Sequence, residues 1–236
     1  MALITQYAGI TATTATKLCG PLPSVSGEVF NAFFGVDAGT SINRAPAGSA
    51  WSAIGSGPTY LASYARMEPG TNAIRTAVTN TTTAYTIMGV FRRVTGGVGS
   101  AARIIAANPT SVILWSINPT TGAMSLTGSP VTGAATLTIA GDLDEFRFCV
   151  ATIGGNTASA LYNLTDDTAS SDGSSGLVSG SGANTIDLTG GAATTNTLNV
   201  DWAWCGIFEG IVNEAGRDAY YDWVKGILLN LRGISC

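Results

Sequence analysis

The stretch from Leu198 to Leu231, LNVDWAWCGIFEGIVNEAGRDAYYDWVKGILLNL, decides the fold because it joins a long apolar strand to an amphipathic helix. In its first half, large apolar residues alternate with small or polar ones. A strand turns successive side chains to opposite faces. We therefore predict that Trp202, Trp204 and Phe208 lie on one buried face of the last strand, covered or flanked by the helix that follows.

The second half has the signals of a helix over residues 214–231. Asn213 is placed to cap it, because a short side-chain oxygen can accept a backbone N–H that has no partner in the first turn. Gly233 follows, where a left-handed C-terminal cap requires glycine. One apolar stripe at three- and four-residue spacing runs between the two caps: Tyr220, Trp223, Val224, Ile227, Leu228 and Leu231.

Short apolar segments bounded by Gly, Pro or Asn recur through the rest of the chain. We predict strands over residues 29–36, 60–67, 85–94, 102–107, 112–117, 123–127, 135–139, 145–153, 158–164 and 185–188. Short strands separated by frequent turn signals are typical of an all-β sandwich or jelly roll. The predicted core comprises Phe91, Phe146, Phe148, Trp202, Trp204, Phe208 and Trp223.

The chain is long enough for one large β domain, which we place at residues 28–236. Residues 1–27 form a Thr/Ala-rich arm that ends in Gly20-Pro-Leu-Pro, a sequence that favours extended structure. The arm can dock on a neighbouring subunit, or it can be a disordered or locally packed terminus. Met1 to Lys17 lacks the basic region of a secretory signal, so we expect none.

The composition is poor in charge. Only 11% of residues are charged and the net charge is −4, whereas roughly a quarter of residues are charged in ordinary soluble domains. Nucleic-acid binding depends on neutralising phosphates, so we expect no nucleic-acid partner. No window approaches the roughly 18 apolar residues of a membrane span. A neutral surface suits a chain packed in an assembly, and we expect a homo-oligomer.

The four cysteines are far apart in the sequence: Cys19, Cys149, Cys205 and Cys236. Zinc sites and thioredoxin-like redox motifs need close cysteine pairs, so we predict reduced thiols, no bound metal and no cofactor. The predicted strands around Cys149 and Cys205 indicate small buried apolar side chains.

Three pieces together resemble the concanavalin A-like, laminin-G-type jelly roll. They are the strand Thr83–Arg93, the hairpin from Glu145 through Gly154-Gly155 to Asn163, and the closing strand with its helix, from Trp202 to Trp223. The resemblance implies an all-β jelly-roll sandwich with one C-terminal helix. Stand-alone chains of this type, acidic and Thr/Ala/Gly-rich, look most like accessory proteins of tailed bacteriophage virions.

That resemblance implies a structural role in a virion assembled in the bacterial host cytoplasm. The chain would be a capsid decoration or a tail or baseplate component, bound to other capsid or tail proteins. The alternative is a carbohydrate-binding adhesin that recognises host surface glycans.

Enzymatic activity is not expected. The chain has no histidine, which removes Ser-His-Asp and Cys-His systems and any histidine general base. Some relatives on this fold are glucanases, whose catalytic strand carries Glu-x-Asp-x-(x)-Glu. Glu209 and Glu214 have the right separation but no aspartate lies between them, and they flank a turn. Asp142 and Asp144 share a strand face that Glu145 does not.

A ligand site, if present, would use an aromatic face and polar loop groups, as lectins do. The candidates are Trp51, in the loop-rich region 43–58, and Asn163, Asp166 and Asp167, which open a polar excursion over residues 166–185. Asp166, Asp167 and Asp172 could imitate the calcium site of laminin-G relatives, although their spacing matches no dedicated calcium loop. Ordinary surface turns are the simpler explanation of these residues.

Overall fold

The computed structural model describes residues 23–35, 43–46, 48–69, 71–79, 84–94, 102–107, 113–128, 136–139, 143–154, 159–171, 185–189 and 198–236. These residues form a sandwich of two antiparallel sheets, with one helix on the outer face of one sheet. The helix is α1 (Glu214–Arg232), and it closes the described chain. The predicted all-β, concanavalin A-like jelly roll with a C-terminal helix is confirmed.

The described strands are, in chain order, β1 (Glu28–Phe33), β2 (Ser52–Gly55), β3 (Thr59–Tyr60), β4 (Ala65–Met67), β5 (Asn72–Thr79), β6 (Tyr85–Arg93), β7 (Ala102–Ala107), β8 (Ile113–Ile117), β9 (Met124–Gly128), β10 (Thr136–Ile139), β11 (Arg147–Ile153), β12 (Ala160–Asn163), β13 (Thr168–Ser171), β14 (Thr185–Leu188) and β15 (Val200–Glu209). The helix-covered sheet has the order β13-β12-β11-β6-β15-β4-β3, and β1 also pairs with β15. The second sheet has the order β10-β9-β8-β7-β14-β5-β2.

Most predicted strands are present with bounds shifted by one or two residues, but the sequence prediction missed three. β2 lies inside the predicted loop region 43–58, β13 lies inside the polar excursion, and β5 was not assigned. The predicted strand 60–67 is instead two short strands, β3 and β4, joined by a turn. All of these pieces except β5 are only two to four residues long, too short for a clear period-two pattern.

The last strand, β15, contains a β-bulge at Ala203. Trp202 pairs with Phe91 and Trp204 pairs with the next residue of β6, Val90, so Ala203 is an extra residue in β15. A bulge of one residue reverses which face the later side chains occupy. The prediction that Trp202, Trp204 and Phe208 form one row is therefore wrong, because Trp202 lies on the opposite face from the other two.

Trp202 fills the core between the two sheets. Its ring centroid lies 4.9 Å from that of Phe91, and its Nε1 donates a hydrogen bond at 2.9 Å to Oγ1 of Thr189, the residue after β14 of the second sheet. The indole also covers Gly89 of β6, where an added Cβ would lie 2.7 Å from Trp202 Cζ3. Glycine is therefore required at that position for the ring to lie flat against the strand.

Trp204 fills a second core between the helix-covered sheet and α1. Its ring stacks on Phe148 at 5.5 Å and on Tyr220 of α1 at 6.1 Å. Its Nε1 donates to Asn31 Oδ1 at 2.9 Å, and Asn31 Nδ2 donates to Glu28 Oε1 at 2.7 Å. Tyr220 donates its hydroxyl to the same Glu28 oxygen at 2.9 Å. A buried polar chain thus connects β15, β1 and α1.

The other predicted core residues divide between the same two cores. Phe91 lies between the sheets, whereas Phe146, Phe148 and Phe208 lie on the helix side. Trp223 is only half-buried, and its ring packs edge-on against Phe33 and Tyr220.

Both predicted caps of α1 are confirmed. Asn213 Oδ1 accepts the Gly216 N–H at 2.9 Å at the N-terminus. Gly233 has a φ of 65°, in the left-handed region, and its N–H donates to Leu229 O at 3.3 Å. The described cysteines Cys149, Cys205 and Cys236 are free and buried; burial raises the pKa of the Cys236 thiol to about 11.

Only the last residues of the predicted arm are described. Gly27 O accepts the Glu209 N–H at 2.8 Å, and Val25 packs against the helix-side core. The rest of the arm and Cys19 lie outside the described residues, so the division at residue 27 and the docking role of the arm stay predictions. Among the described residues, no helix combines the length and the apolar character that crossing a membrane requires.

Replacing Trp204 by alanine tests the helix-side core. We expect Trp204→Ala to lower the free energy of unfolding by about 3–5 kcal/mol, because it empties a fully buried site and leaves the Asn31 oxygen without its donor. Urea unfolding measures the change. Leu229→Ala, on the exposed face of α1, is the control and should cost less than about 0.5 kcal/mol. Equal effects of the two substitutions would contradict the described core.

The half-buried carboxyl of Glu28 generates a pH dependence. Burial raises its pKa above the ordinary value of 4.5, and the hydrogen bonds from Tyr220 and Asn31 only partly oppose this. The folded state therefore holds this proton more tightly than the unfolded state does. Stability from this group is full below pH 4.5 and is lost as pH rises through the raised pKa.

Glu28→Gln keeps an oxygen that can accept from Tyr220 but removes the titration. Urea midpoints measured at a series of pH values should therefore decline less with rising pH in this variant than in the wild type. Identical pH profiles would contradict the raised pKa.

Candidate functional site

The structure places Trp51 in the core instead of at the surface. Its side chain is only 9% exposed, and its ring lies 6.5 Å from the rings of both Phe34 and Tyr60. Stacking on a sugar requires a free aromatic face. Trp51 offers none, and the residue after it begins strand β2 instead of continuing the predicted loop.

The polar candidates lie at the turn that joins β12 to β13, where Asn163 and Asp166 bind each other. Asp166 Oδ2 accepts from Asn163 Nδ2 at 2.8 Å and from Arg147 Nε at 2.9 Å. Asn163 is fully buried, and Asp167 is exposed with a φ of 52°, as tight turns require. The hydrogen-bonding groups of Asn163 and Asp166 are therefore used within the turn.

The predicted acidic cluster is incomplete in the described chain, because Asp172 lies outside the described residues. Within the described ranges, no group of three or more Asp, Glu, Cys or His side chains is arranged to hold a metal ion. The carboxylates considered for catalysis lie on different elements or outside the described residues: Glu209 ends β15, Glu214 begins α1, and Asp142 is not described.

A different polar group, which the sequence analysis missed, crosses the outer face of the helix-covered sheet. Asp201 of β15 pairs in register with Arg66 of β4 on one side and with Arg92 of β6 on the other. We call Arg66, Asp201 and Arg92 the arginine row. Arg66 donates from Nε and Nη2 to the two carboxylate oxygens at 2.7 and 3.0 Å, and Arg92 Nε donates to Asp201 Oδ2 at 3.1 Å.

Two aromatic rings hold the second arginine of the row. The Arg92 guanidinium carbon lies 5.2 Å from the Tyr64 ring centroid and 4.7 Å from that of Phe146, within cation–π range. Arg92 Nη2 also donates to the Tyr64 hydroxyl at 3.3 Å. The guanidinium is thereby fixed in orientation by one carboxylate, one hydroxyl and two ring faces.

The row combines a buried anion with two accessible cations. The Asp201 side chain is fully buried, whereas the side chains of Arg66 and Arg92 are 37% and 28% exposed. The hydrogen bonds to Asp201 raise the pKa of Arg66, so this side chain stays protonated. The other ion pairs that join two described side chains are Arg75–Asp187, Arg93–Asp144 and Arg147–Asp166.

One signal for this site was present in the sequence. Arg92-Arg93 is the basic pair of the chain, and a strand sends its two members to opposite faces. The structure agrees, since Arg93 bonds Asp144 and Pro119 O instead of joining the row. Asp201 gave no signal, because its pairing with Arg66, 135 residues away, depends on strand register.

Comparisons with known proteins support the fold. No protein-family model matches the chain, and no curated protein matches it either. The binding domain of Paraclostridial Mosquitocidal Protein 1 superposes with a TM-score of 0.61 and 12% identity, over 83% of this chain and 52% of that one. A structure from work on botulinum neurotoxin type C, whose cell entry depends on two ganglioside molecules, gives 0.61 and 12%, over 84% and 50%.

Trypanosoma rangeli sialidase also superposes, with a TM-score of 0.60 and 12% identity, over 92% of this chain and 35% of that one. The chain thus spans about half the length of the toxin structures and about a third of the sialidase. At such identities the likeness concerns the fold, which is that of a lectin-like β-sandwich.

The arginine row makes a prediction about stability. Asp201→Ala should lower the free energy of unfolding by about 1.5–3 kcal/mol, because both arginines lose their charged hydrogen-bond partner at once. Arg92→Gln should cost less than about 1.5 kcal/mol, because Arg66 still pairs with the buried carboxylate. Urea unfolding of both variants measures the difference. An Arg92 variant less stable than the Asp201 variant would contradict this arrangement.

Proposed function

We propose that this chain is a non-enzymatic recognition domain that binds a surface glycan through the arginine row. The observation that carries the proposal is the fixed pair of arginines with part-exposed side chains beside Tyr64 on a lectin-like sandwich. Guanidinium groups present several N–H donors in a rigid plane, which suits sugar hydroxyl and acid groups.

Preorganisation supports the proposal. A binding site loses affinity when long side chains must be ordered upon binding. Here Asp201 and the two aromatic rings have already ordered Arg92, and the Asp201 pair has ordered Arg66. Botulinum neurotoxin type C, whose cell entry depends on two ganglioside molecules, adds support, because its matching structure shares the fold of this chain.

The proposal of a binding role without catalysis rests on the residues available for chemistry. The sequence contains no histidine, and the carboxylate of the row, Asp201, is fully buried between two arginines. General acid–base catalysis needs a titrating group within reach of a substrate.

A virion role is the second candidate, and the low charge content favours it. With 11% charged residues, the surface suits a chain packed against copies of itself and other proteins. In this proposal the chain is a homo-oligomeric bacteriophage component on the capsid or tail, assembled in the bacterial cytoplasm. Its recognition face would point away from the particle.

A glycan array tests the recognition role. Purified full-length chain should bind a reproducible subset of glycans, and Arg92→Gln should lose most of that signal while remaining folded by circular dichroism. A wild-type chain that binds no glycan on a broad array would overturn the proposal.

The virion role needs a separate experiment. Particles purified from the source and analysed by mass spectrometry should contain the chain at a fixed ratio to the major capsid or tail protein. Recovery of the chain only in the particle-free fraction would rule this role out.

A further inference from the structure

We infer that the ligand of the arginine row is an acidic sugar, and that its carboxylate binds between Arg66 and Arg92. This inference deepens the proposed function and rests on it. It names the chemical class of the glycan and the two side chains that select it.

The charge of the row is the first argument. Two guanidiniums face one carboxylate, and no other carboxylate of the described residues forms an ion pair with either arginine. Glu68, which directly follows β4, accepts instead from Asn72 Nδ2 at 3.4 Å. One positive charge of the row therefore has no ion-pair partner, which one carboxylate of a ligand can supply.

The free donors are the second argument. Arg66 donates to Asp201 from Nε and Nη2. Arg92 donates to Asp201 from Nε and to the Tyr64 hydroxyl from Nη2. Neither arginine uses Nη1 in a hydrogen bond to a described residue. Arginine binds carboxylates through charge-assisted N–H bonds, about twice as strong as bonds between neutral groups.

A sugar, and not a bare anion, fits the surroundings of the row. Asn199 lies two residues before Asp201, and its Oδ1 is a buried acceptor without a donor. Strand alternation places Asn199 on the same face as Asp201. A hydroxyl donor beside the carboxylate is a feature of an acidic sugar that a bare anion lacks.

A polyphosphate or nucleic-acid ligand fits less well. Such polymers carry a charge at every unit and need a track of basic residues. The chain has a net charge of −4, and the remaining ion-paired arginines of the described residues are each matched by an aspartate. The single excess charge of the row matches a single carboxylate.

The test compares acidic and neutral sugars that share one core. Full-length chain is titrated with sialyllactose and with lactose, and a glucuronic acid disaccharide is compared with its neutral glucose counterpart. Binding is followed by calorimetry and by NMR shifts of arginine side-chain N–H groups. The two acidic probes separate a sialic acid ligand from a uronic acid ligand.

Arg66→Gln and Arg92→Gln are the test variants, and Arg75→Gln is the matched control. Arg75 also forms a two-bond pair with a buried aspartate, Asp187, but on the second sheet, and its side chain is 41% exposed. The control therefore removes the same kind of interaction and leaves the arginine row intact.

We expect at least one acidic sugar to bind and its neutral counterpart to bind at least about tenfold more weakly. Each test variant should lose about tenfold in affinity for the acidic sugar, and Arg75→Gln should stay within about twofold. Equal binding of acidic and neutral sugars overturns the inference and leaves glycan recognition by the arginine row standing. Equal losses in Arg92→Gln and Arg75→Gln overturn the inference and also rule out the arginine row as the glycan site. Binding of no sugar, in these titrations or on the array, overturns both.

Discussion

The change of face at Ala203 is the constraint on which the rest of this structure depends. Without the bulge in β15, Asp201 would point into the core between the sheets, and Trp202 would point towards the helix with Trp204. Burying an unpaired carboxylate there is strongly unfavourable. The bulge instead gives each indole its own core and places Asp201 where two arginines can reach it.

The two tryptophans then join three layers through one strand. Trp202 donates across the sandwich to Thr189, and Trp204 reaches Tyr220 of α1 through Asn31 and Glu28. Buried hydrogen-bond networks fix one arrangement of their members, because a group left unpaired is costly. The position of α1 and the placement of the arginine row on the same face of the sheet therefore have a common origin in β15.

Local signals in the sequence predicted the parts of the fold that local interactions determine. The caps at Asn213 and Gly233, the length of α1 and the bounds of β7 and β14 follow from residues close together in the chain. The bulge could not be predicted in this way, because the sequence W-A-W-C is equally compatible with uninterrupted alternation. β2 and β13 were missed since their residues are small, polar or exposed. The arginine row depends on register between residues more than 100 positions apart, which a single sequence does not encode visibly.

The assignment of the two indoles to opposite faces of β15 can be measured directly by NMR. In a NOESY spectrum of the folded chain, the Trp202 indole protons should show cross-peaks to Phe91 and Thr189, and those of Trp204 to Phe148 and Tyr220. Isotope labelling of tryptophan, combined with spectra of the Trp202→Phe and Trp204→Phe variants, assigns each indole signal. Cross-peaks from both indoles to residues of α1 would mean that the strand alternates without a bulge, and would contradict the separation of the two cores.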